Sequence, residues 1–312
     1  MDISRLRALR ELAKRKTMAA VADALFVSAS AVSQQISQLE DEAGVALVER
    51  RGRGVRLTEA GERLVAHAER IIGILEEAKT DLAELKKIVA GEVRLAAFPS
   101  IASTLAPATM RELEADHPRL RVVLNAMEPM EGLAALRAWQ TDVAIVDDLT
   151  VDPSGADRNV EMTYLCDDRL YAILPVSHPL ARQPNIHLKE LKDTKWALDV
   201  ASNKYSEVIA TACRSAGFEP VVNAYCNGFE VVVSLIEAGC SVSVMPGLRL
   251  KNYRGEVVSV PVVPEITRRI SAAVRAGEAR NPAIAAVLRA LRNAVEVEGV
   301  GLYSGVEGTG PK

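Results

Sequence analysis

The segment Thr17–Ile36, TMAAVADALFVSASAVSQQI, constrains the chain more than any other. It predicts two short helices joined by a tight turn. Ala19, Ala20, Ala22 and Ala24 keep the first helix slim, so a second backbone can approach closely, and Leu25 ends it. Phe26-Val27-Ser28 makes the turn. Ser28 suits an N-cap because its hydroxyl accepts from a free N–H of the next turn. The second helix is expected from about Ala29 to Glu42, with Val32, Ile36 and Leu39 facing inward at helical spacing. Ser30, Ser33, Gln34, Gln35 and Ser37 are left outside. That face is polar, uncharged and short-armed, which suits a major groove, where hydroxyls and amides reach base edges. An ordinary helical hairpin with a solvated polar face has the same spacing, so the flanks decide between the two.

Downstream, Leu39-Glu40-Asp41-Glu42-Ala43-Gly44 closes the helix with glycine at its C-cap. VALVERRGRGVRLTEAG then predicts a strand, a basic turn carrying Arg50, Arg51 and Arg53, and a second strand through Val55 and Leu57. Two strands around such a turn make a wing placed to touch phosphates or a minor groove. Here the sequence closely resembles the LysR-type transcriptional regulators. The resemblance is carried by AVADALFVSASAVSQQISQLE at 20–40, by Gly44, Leu47, Glu49 and Arg50, and by RLTEAGERL at 56–64. Val48 departs from the Phe usual in the family and alters packing under the wing. Gln34 replaces an arginine found in many members, which weakens a phosphate or guanine contact there. The candidate DNA-contacting residues are Ser28, Ala29, Ser30, Ala31, Ser33, Gln34, Gln35, Arg50, Arg51 and Arg53.

A net charge of −3 alone argues against nucleic acid, but the charge is uneven. Through Thr58 there are ten basic residues against seven acidic ones, so that part is near +3 and the remainder near −6. A basic end on an acidic body fits DNA contact by the N-terminus alone. Aromatic residues are only 4% of the chain, which disfavours a base-stacking platform for single strands.

From Thr58, read as an N-cap, a long helix is expected to about Val89. Leu64, Ala68, Ile71, Leu75, Ala78, Leu82, Leu85 and Val89 recur at alternating steps of four and three, a heptad seam that asks for a partner helix. Val65, Ile72 and Ile74 widen the stripe, so part of it is also expected to touch the DNA-binding domain. The resemblance implies the same self-pairing. Two heads on one dimer match a palindromic operator read at two half-sites.

From Gly91, GEVRLAAFPS reads as a strand followed by a turn; strands at 120–126 and 143–148 then alternate with helices at 106–116 and 129–140, which predicts a parallel sheet with covered faces. A second set runs from a strand near Asp168 through KWALDV, VVNAYC and SVSVMP, with helices near Tyr205–Ala216 and Phe229–Ala238. RRISAAVRA and a last helix from Pro282 to Glu296 return to the first subdomain. The expected fold is α+β overall. It comprises a winged helix-turn-helix over 1–58 (the helix-turn-helix about 17–36), a linker and dimerisation helix over 59–90, and an α/β, two-lobed, periplasmic-binding-protein-like effector domain over 91–300. Lobe I is about 91–162 with 267–300, lobe II about 163–266, and the glycine-rich tail 301–312 is expected to be disordered. In this half the resemblance is thinner, resting on SHPLA at 177–181 and VVVSLIEAGCSVSVMP at 231–246.

Ligands of open α/β sheets sit at the carboxyl ends of strands. The loops 99–103, 127–129, 201–204 and 227–229 fit that position, and the resemblance implies that they line a cleft holding a small effector. Candidate effector contacts are Ser100, Ile101, Ser103, Glu128, Ser202, Asn203, Asn227 and Phe229. Plain N-capping explains any one serine or asparagine equally well. Glu128 at the rim disfavours a purely anionic effector or pairs with an amine, unless it is a solvated helix-start acid.

A GxGxxG, a P-loop, a GxSxG elbow and metal-ligand spacing are all missing, so no catalytic residue, metal or cofactor is expected beyond an effector of unknown identity. Asp147-Asp148 is a paired carboxylate without an obvious partner. The cysteines Cys166, Cys213, Cys226 and Cys240 lack C-x-x-C spacing and are expected to be buried free thiols. With no signal peptide or apolar span visible, a cytoplasmic regulator is expected. Its expected partners are double-stranded, A/T-rich palindromic DNA, further copies of itself as dimer or tetramer, and RNA polymerase.

Overall fold

The computed structural model describes residues 1–25, 27–51, 54–86, 89–151, 159–200, 203–251 and 253–299. The chain divides into two compact units, Met1–Lys86 and Lys87–Lys312. The expected tail, 301–312, lies outside the described residues.

In the first unit, α1 (Ile3–Arg15), α2 (Met18–Leu25) and α3 (Ala29–Ala43) precede β1 (Val48–Arg51), β2 (Gly54–Leu57) and α4 (Glu59–Lys86). The caps follow from local chemistry. Ser28 Oγ accepts from the Ala31 N–H at 3.1 Å, and Gly44 closes α3 with φ 67°. Thr58 Oγ1 accepts from the Gly61 N–H at 3.1 Å and donates to the Ala46 carbonyl at 2.8 Å, which fixes where α4 leaves the wing. Gly61 allows that approach, since a Cβ there would lie 2.1 Å from the Leu47 carbonyl oxygen. Leu6, Leu9, Leu12, Val21, Val32, Ile36, Leu39, Leu47 and Ala68 form one core. β1 and β2 pair antiparallel, with Arg50 opposite Val55. α1 crosses α2 and α3 and packs along α4 as well. The heptad stripe of α4 is therefore split. Ala68 is buried in the head, whereas Ile71, Ile74 and Leu82 are 40%, 65% and 59% exposed. The helix is described to Lys86; residues 87 and 88, over which it is expected to continue to about Val89, lie outside the described residues.

The second unit runs β3 (Gly91–Ala97), α5 (Pro99–Ser103), α6 (Leu105–Asp116), β4 (Leu120–Ala126), α7 (Pro129–Arg137), β5 (Val143–Asp147) and β6 (Val160–Pro175). β7 (Ile186–His187), a 3-10 turn, β8 (Lys195–Asp199), α8 (Asn203–Ser215), β9 (Val221–Cys226) and α9 (Phe229–Glu237) follow. β10 (Ser243–Pro246), α10 (Gly247–Leu250), β11 (Val257–Val263), β12 (Thr267–Arg275) and α11 (Pro282–Val297) complete it. α7 stops before the expected Gln140 because Trp139 turns left-handed at φ 59°, its ring 3.9 Å from the Arg275 guanidinium carbon.

The sheet is mixed, which corrects the expectation of an all-parallel one. β4, β3 and β5 are parallel, but β12 runs antiparallel to both β5 and β6. The strand expected near Asp168 begins at Val160. It pairs with β12 over 160–169 and with β10 and β11 over 170–175, so one backbone serves both lobes. β11 and α10 are elements that the sequence pattern left unassigned. In lobe I, Leu95, Ile145 and Ile270 meet Leu105 and Leu291 on one face of the sheet, and Leu133 and Leu136 cover the other. In lobe II, Trp196 and Ile209 centre one core, and Val232, Ile236 and Phe229 a second.

Candidate functional site

Two surfaces carry the chemistry. The first is the outer face of α3. Val32, Ile36 and Leu39 are at most 1% exposed, so the helix cannot rotate without opening the core. That leaves Ser28, Ala29, Ser30, Ser33, Gln34 and Ser37 exposed, with Ala31 and Gln35 half-buried. Ser28 Oγ and Ser30 Oγ lie 2.9 Å apart at the helix start. Arg53 lies outside the described residues, as do the side chains of Arg50 and Arg51. Not every basic residue of the head faces solvent. Arg10 is 7% exposed, and its Nη2 lies 3.4 Å from Glu11 Oε1.

The second surface is a cleft at the carboxyl ends of β3, β4, β5, β8, β9 and β10, with a cavity of about 60 Å³. Each strand end delivers a side chain or turn. β3 leads into Phe98, Pro99 and Ser100, β4 into Glu128 and Pro129, and β5 ends on Asp147 followed by Thr150. β8 ends on Asp199, β9 leads to Phe229, and β10 ends on Met245 and Pro246. Tyr205, Arg249 and Arg268 complete the lining.

Arg268 organises the floor. Its Nε and Nη2 donate to Asp168 Oδ2 at 3.0 and 2.7 Å, and Nη2 donates to Ser100 Oγ at 2.7 Å. The guanidinium stands 4.8 Å from the Phe98 ring centroid and 3.8 Å from Asp147. Burial opposes its charge, but Asp168 and Asp147 together hold it above the ordinary guanidinium value. Burial in turn pushes the Asp168 carboxyl up, against the pull of Arg268.

Across the cleft, Arg249 lies 5.5 Å over the Phe229 ring, with Nη2 3.8 Å from Asp199 Oδ2. Asp199 Oδ1 accepts from the Gly228 N–H at 3.2 Å. Asp147 Oδ1 accepts from the Leu149 and Thr150 N–H groups at 3.1 and 2.9 Å, which shapes the turn after β5. The Tyr205 hydroxyl donates to the Val244 carbonyl at 3.2 Å, and burial pushes its phenol up.

Of the residues singled out from sequence, Ser100, Glu128 and Phe229 line the cleft. Ile101 does not. It is wholly buried in the lobe I core, because it points to the inner side of α5 while Ser100 points to the cleft. Ser103 is exposed outside the lining, its hydroxyl turned to the Ser100 carbonyl at 3.3 Å. Asn227 is likewise exposed and outside the lining, because the lining side chain after β9 is Phe229. Ser202 and the side chain of Asn203 lie outside the described residues. Arg249, Arg268, Asp199 and Thr150 were missed. Asp147 was noticed but had no partner within reach in sequence.

Cys166, Cys213 and Cys226 are buried, whereas Cys240 is exposed, a correction to the expectation of four buried thiols. Burial and the nearby Asp168 push the Cys166 thiol up to about 12, and burial pushes Cys213 up to about 11. Neither has the lowered pKa of a reactive thiolate.

A winged helix-turn-helix head with an exposed polar recognition helix, joined to a two-lobed domain with a charged cleft, defines a ligand-responsive DNA-binding regulator. Residues 3–62 match the bacterial regulatory helix-turn-helix protein, lysR family, and residues 87–296 match the LysR substrate binding domain. The chain belongs to the LysR family of transcriptional regulators. It is 28% identical over 272 residues to the transcriptional dual regulator GltC of Bacillus subtilis, spanning 86% of this chain and 89% of that one. A full-length OxyR variant from Pseudomonas aeruginosa has the same fold at TM-score 0.71 and 24% identity, covering 94% and 98% of the two chains. Full-length CbnR, solved in complex with its target DNA, matches at TM-score 0.58 and 23% identity, covering 94% and 100%.

Proposed function

We propose that a small-molecule effector enters the cleft between Ser100 and Glu128 on one side and Asp199, Phe229 and Arg249 on the other, and that its binding alters promoter recognition or polymerase contact. The observation that carries this is the convergence of six strand ends from both lobes on one charged, aromatic-walled cavity. The face of α3 enters the major groove, with Ser30, Ser33 and Gln34 toward base edges and Arg50, Arg51 and Arg53 toward phosphates. The exposed apolar residues of α4 pair two chains over the 59–90 helix, and effector domains join dimers into a tetramer on an A/T-rich palindrome in the cytoplasm. An effector shifts this assembly only through different affinities for its two arrangements.

The test is a gel shift and footprint on the intergenic DNA upstream of the protein's own gene, with and without a fractionated metabolite pool. The expected result is a two-half-site footprint whose extent or affinity changes with a fraction, and a change that Arg249→Ala abolishes. Absence of any complex at low salt, or a response unaltered in Arg249→Ala, overturns the corresponding half of the proposal.

A further inference from the structure

Four carboxylates, Glu128, Asp147, Asp168 and Asp199, gather about two guanidinium groups, Arg249 and Arg268. The pairings are unequal. Arg268 is engaged within the wall by close hydrogen bonds to Asp168 and Ser100. Arg249 meets Asp199 at 3.8 Å, beyond hydrogen-bond distance, and also feels the charges of Glu230 and, more weakly, Glu128. Among the described residues of the cleft, the cation presented to an incoming molecule is therefore Arg249, and it is flanked by acids.

That balance discriminates between ligand classes. A molecule carrying carboxylates alone gains Arg249 but stands against Glu128, Asp147 and Asp199 in a partly desolvated site, where like-charge repulsion is strong. A molecule carrying both signs opens the loose Arg249–Asp199 pair and replaces each half with its own opposite charge. The net charge of the cleft is then unchanged, and no buried charge is left alone. The cleft is small, with a cavity of about 60 Å³.

We propose that the effector is a small zwitterion of amino-acid size, its carboxylate taken by Arg249 and its ammonium by Asp199 and Glu128. This rests on the effector reading of the cleft above. Phe229 and Met245 offer the apolar surface for a short side chain.

The experiment uses the full-length protein, thermal-shift assays and titration calorimetry with three matched sets of probes. These are the standard α-amino acids, the 2-oxo acids of the same carbon skeletons, and the corresponding decarboxylated amines. The expected result is that one or a few amino acids bind, with the matching oxo acid and amine each about tenfold weaker or worse, since each loses one charged hydrogen-bonding group. Glu128→Gln and Asp199→Asn, the latter retaining an acceptor for Gly228, weaken the amino acid and leave oxo acids unaffected or improved. An amine-free acid that binds as tightly as any amino acid overturns the inference, as does failure of all three sets to bind. If such an acid loses its binding in Arg249→Ala, the cleft remains the effector site and only the zwitterion is discarded. Binding of any probe that Arg249→Ala and Glu128→Gln both leave unchanged removes the effector from the cleft and overturns the earlier proposal with it.

Discussion

Asp168 and Arg268, one hundred residues apart in the chain, face each other across β6 and β12 and share two hydrogen bonds at 3.0 and 2.7 Å in a site closed to solvent. The same Arg268 reaches Ser100 of lobe I, and the same Asp168 accepts from the Leu248 N–H at 3.0 Å on α10. One ion pair thus ties α5, α10 and both shared strands together. Asp168→Asn leaves a buried guanidinium with only the more distant Asp147 as counter-charge, and the expected cost is about 3 kcal/mol. Asp168→Leu combined with Arg268→Met removes both charges and is expected to cost less than Asp168→Asn alone. Urea unfolding of the three proteins checks this. A double variant less stable than the single one contradicts it.

The exposed seam of α4 makes a second prediction. Ile71 and Leu82 lie about one and a half heptads apart and are 40% and 59% exposed in a single chain. Ile71→Glu with Leu82→Glu is expected to shift the protein to monomers in sedimentation, because like charges then meet across the pairing helices. The head core rests on Leu64 and Ala68 higher up the helix, so its circular-dichroism melt should survive. A variant that still sediments as the parent does removes α4 from the dimer interface.

These contrasts explain what the sequence showed and what it hid. Ser28, Gly44 and Thr58 were legible because a cap is a local hydrogen bond, decided within four residues. The loops at 99–103 and 127–129 were legible through a different local signal, a proline at the first turn of a helix, where its fixed φ fits. Arg268 was not, because RRIS beside a strand looks like an exposed edge until Asp168 and Ser100 arrive from distant segments. Arg249 sits on a helix of four residues, too short to leave a periodic signal. β11 was hidden because VVSVPVV carries Pro261, which argues against a central strand, yet it pairs with β6 over 257–261. Ile101 was misplaced because adjacent positions on one helical turn face opposite sides, one to the cleft and one to the core.

On α3, Ser33 is exposed one residue after the fully buried Val32, so its hydroxyl is aimed outward by the packing itself. Ser33→Ala is expected to cost about 1 kcal/mol of discrimination between operator and mismatched sites, with little change on random DNA. Arg53→Ala in the wing is expected to weaken binding on all sequences and to lower the salt slope by about one unit. Fluorescence-anisotropy titrations over a range of salt separate the two. Equal losses on operator and random DNA for both variants contradict this division of labour.

Burial raises the cost of ionising Asp142, yet Arg94 donates to it from Nε at 2.9 Å, from Nη2 at 2.7 Å and from its backbone N–H at 2.9 Å. Arg275 adds Nη2 at 3.0 Å, and the carboxyl is held below the ordinary aspartate value. A carboxylate whose folded pKa is depressed stabilises the native state above its unfolded pKa, and that contribution disappears as pH falls through the folded value. Asp142→Asn is therefore expected to lose about 2 kcal/mol at neutral pH. The gap between parent and variant should narrow only below about pH 4, where the unfolded carboxyl begins to bind protons. Urea titrations at descending pH measure that gap directly. A gap that stays constant into strong acid shows that Asp142 acts through shape alone and that its charge contributes nothing to the fold.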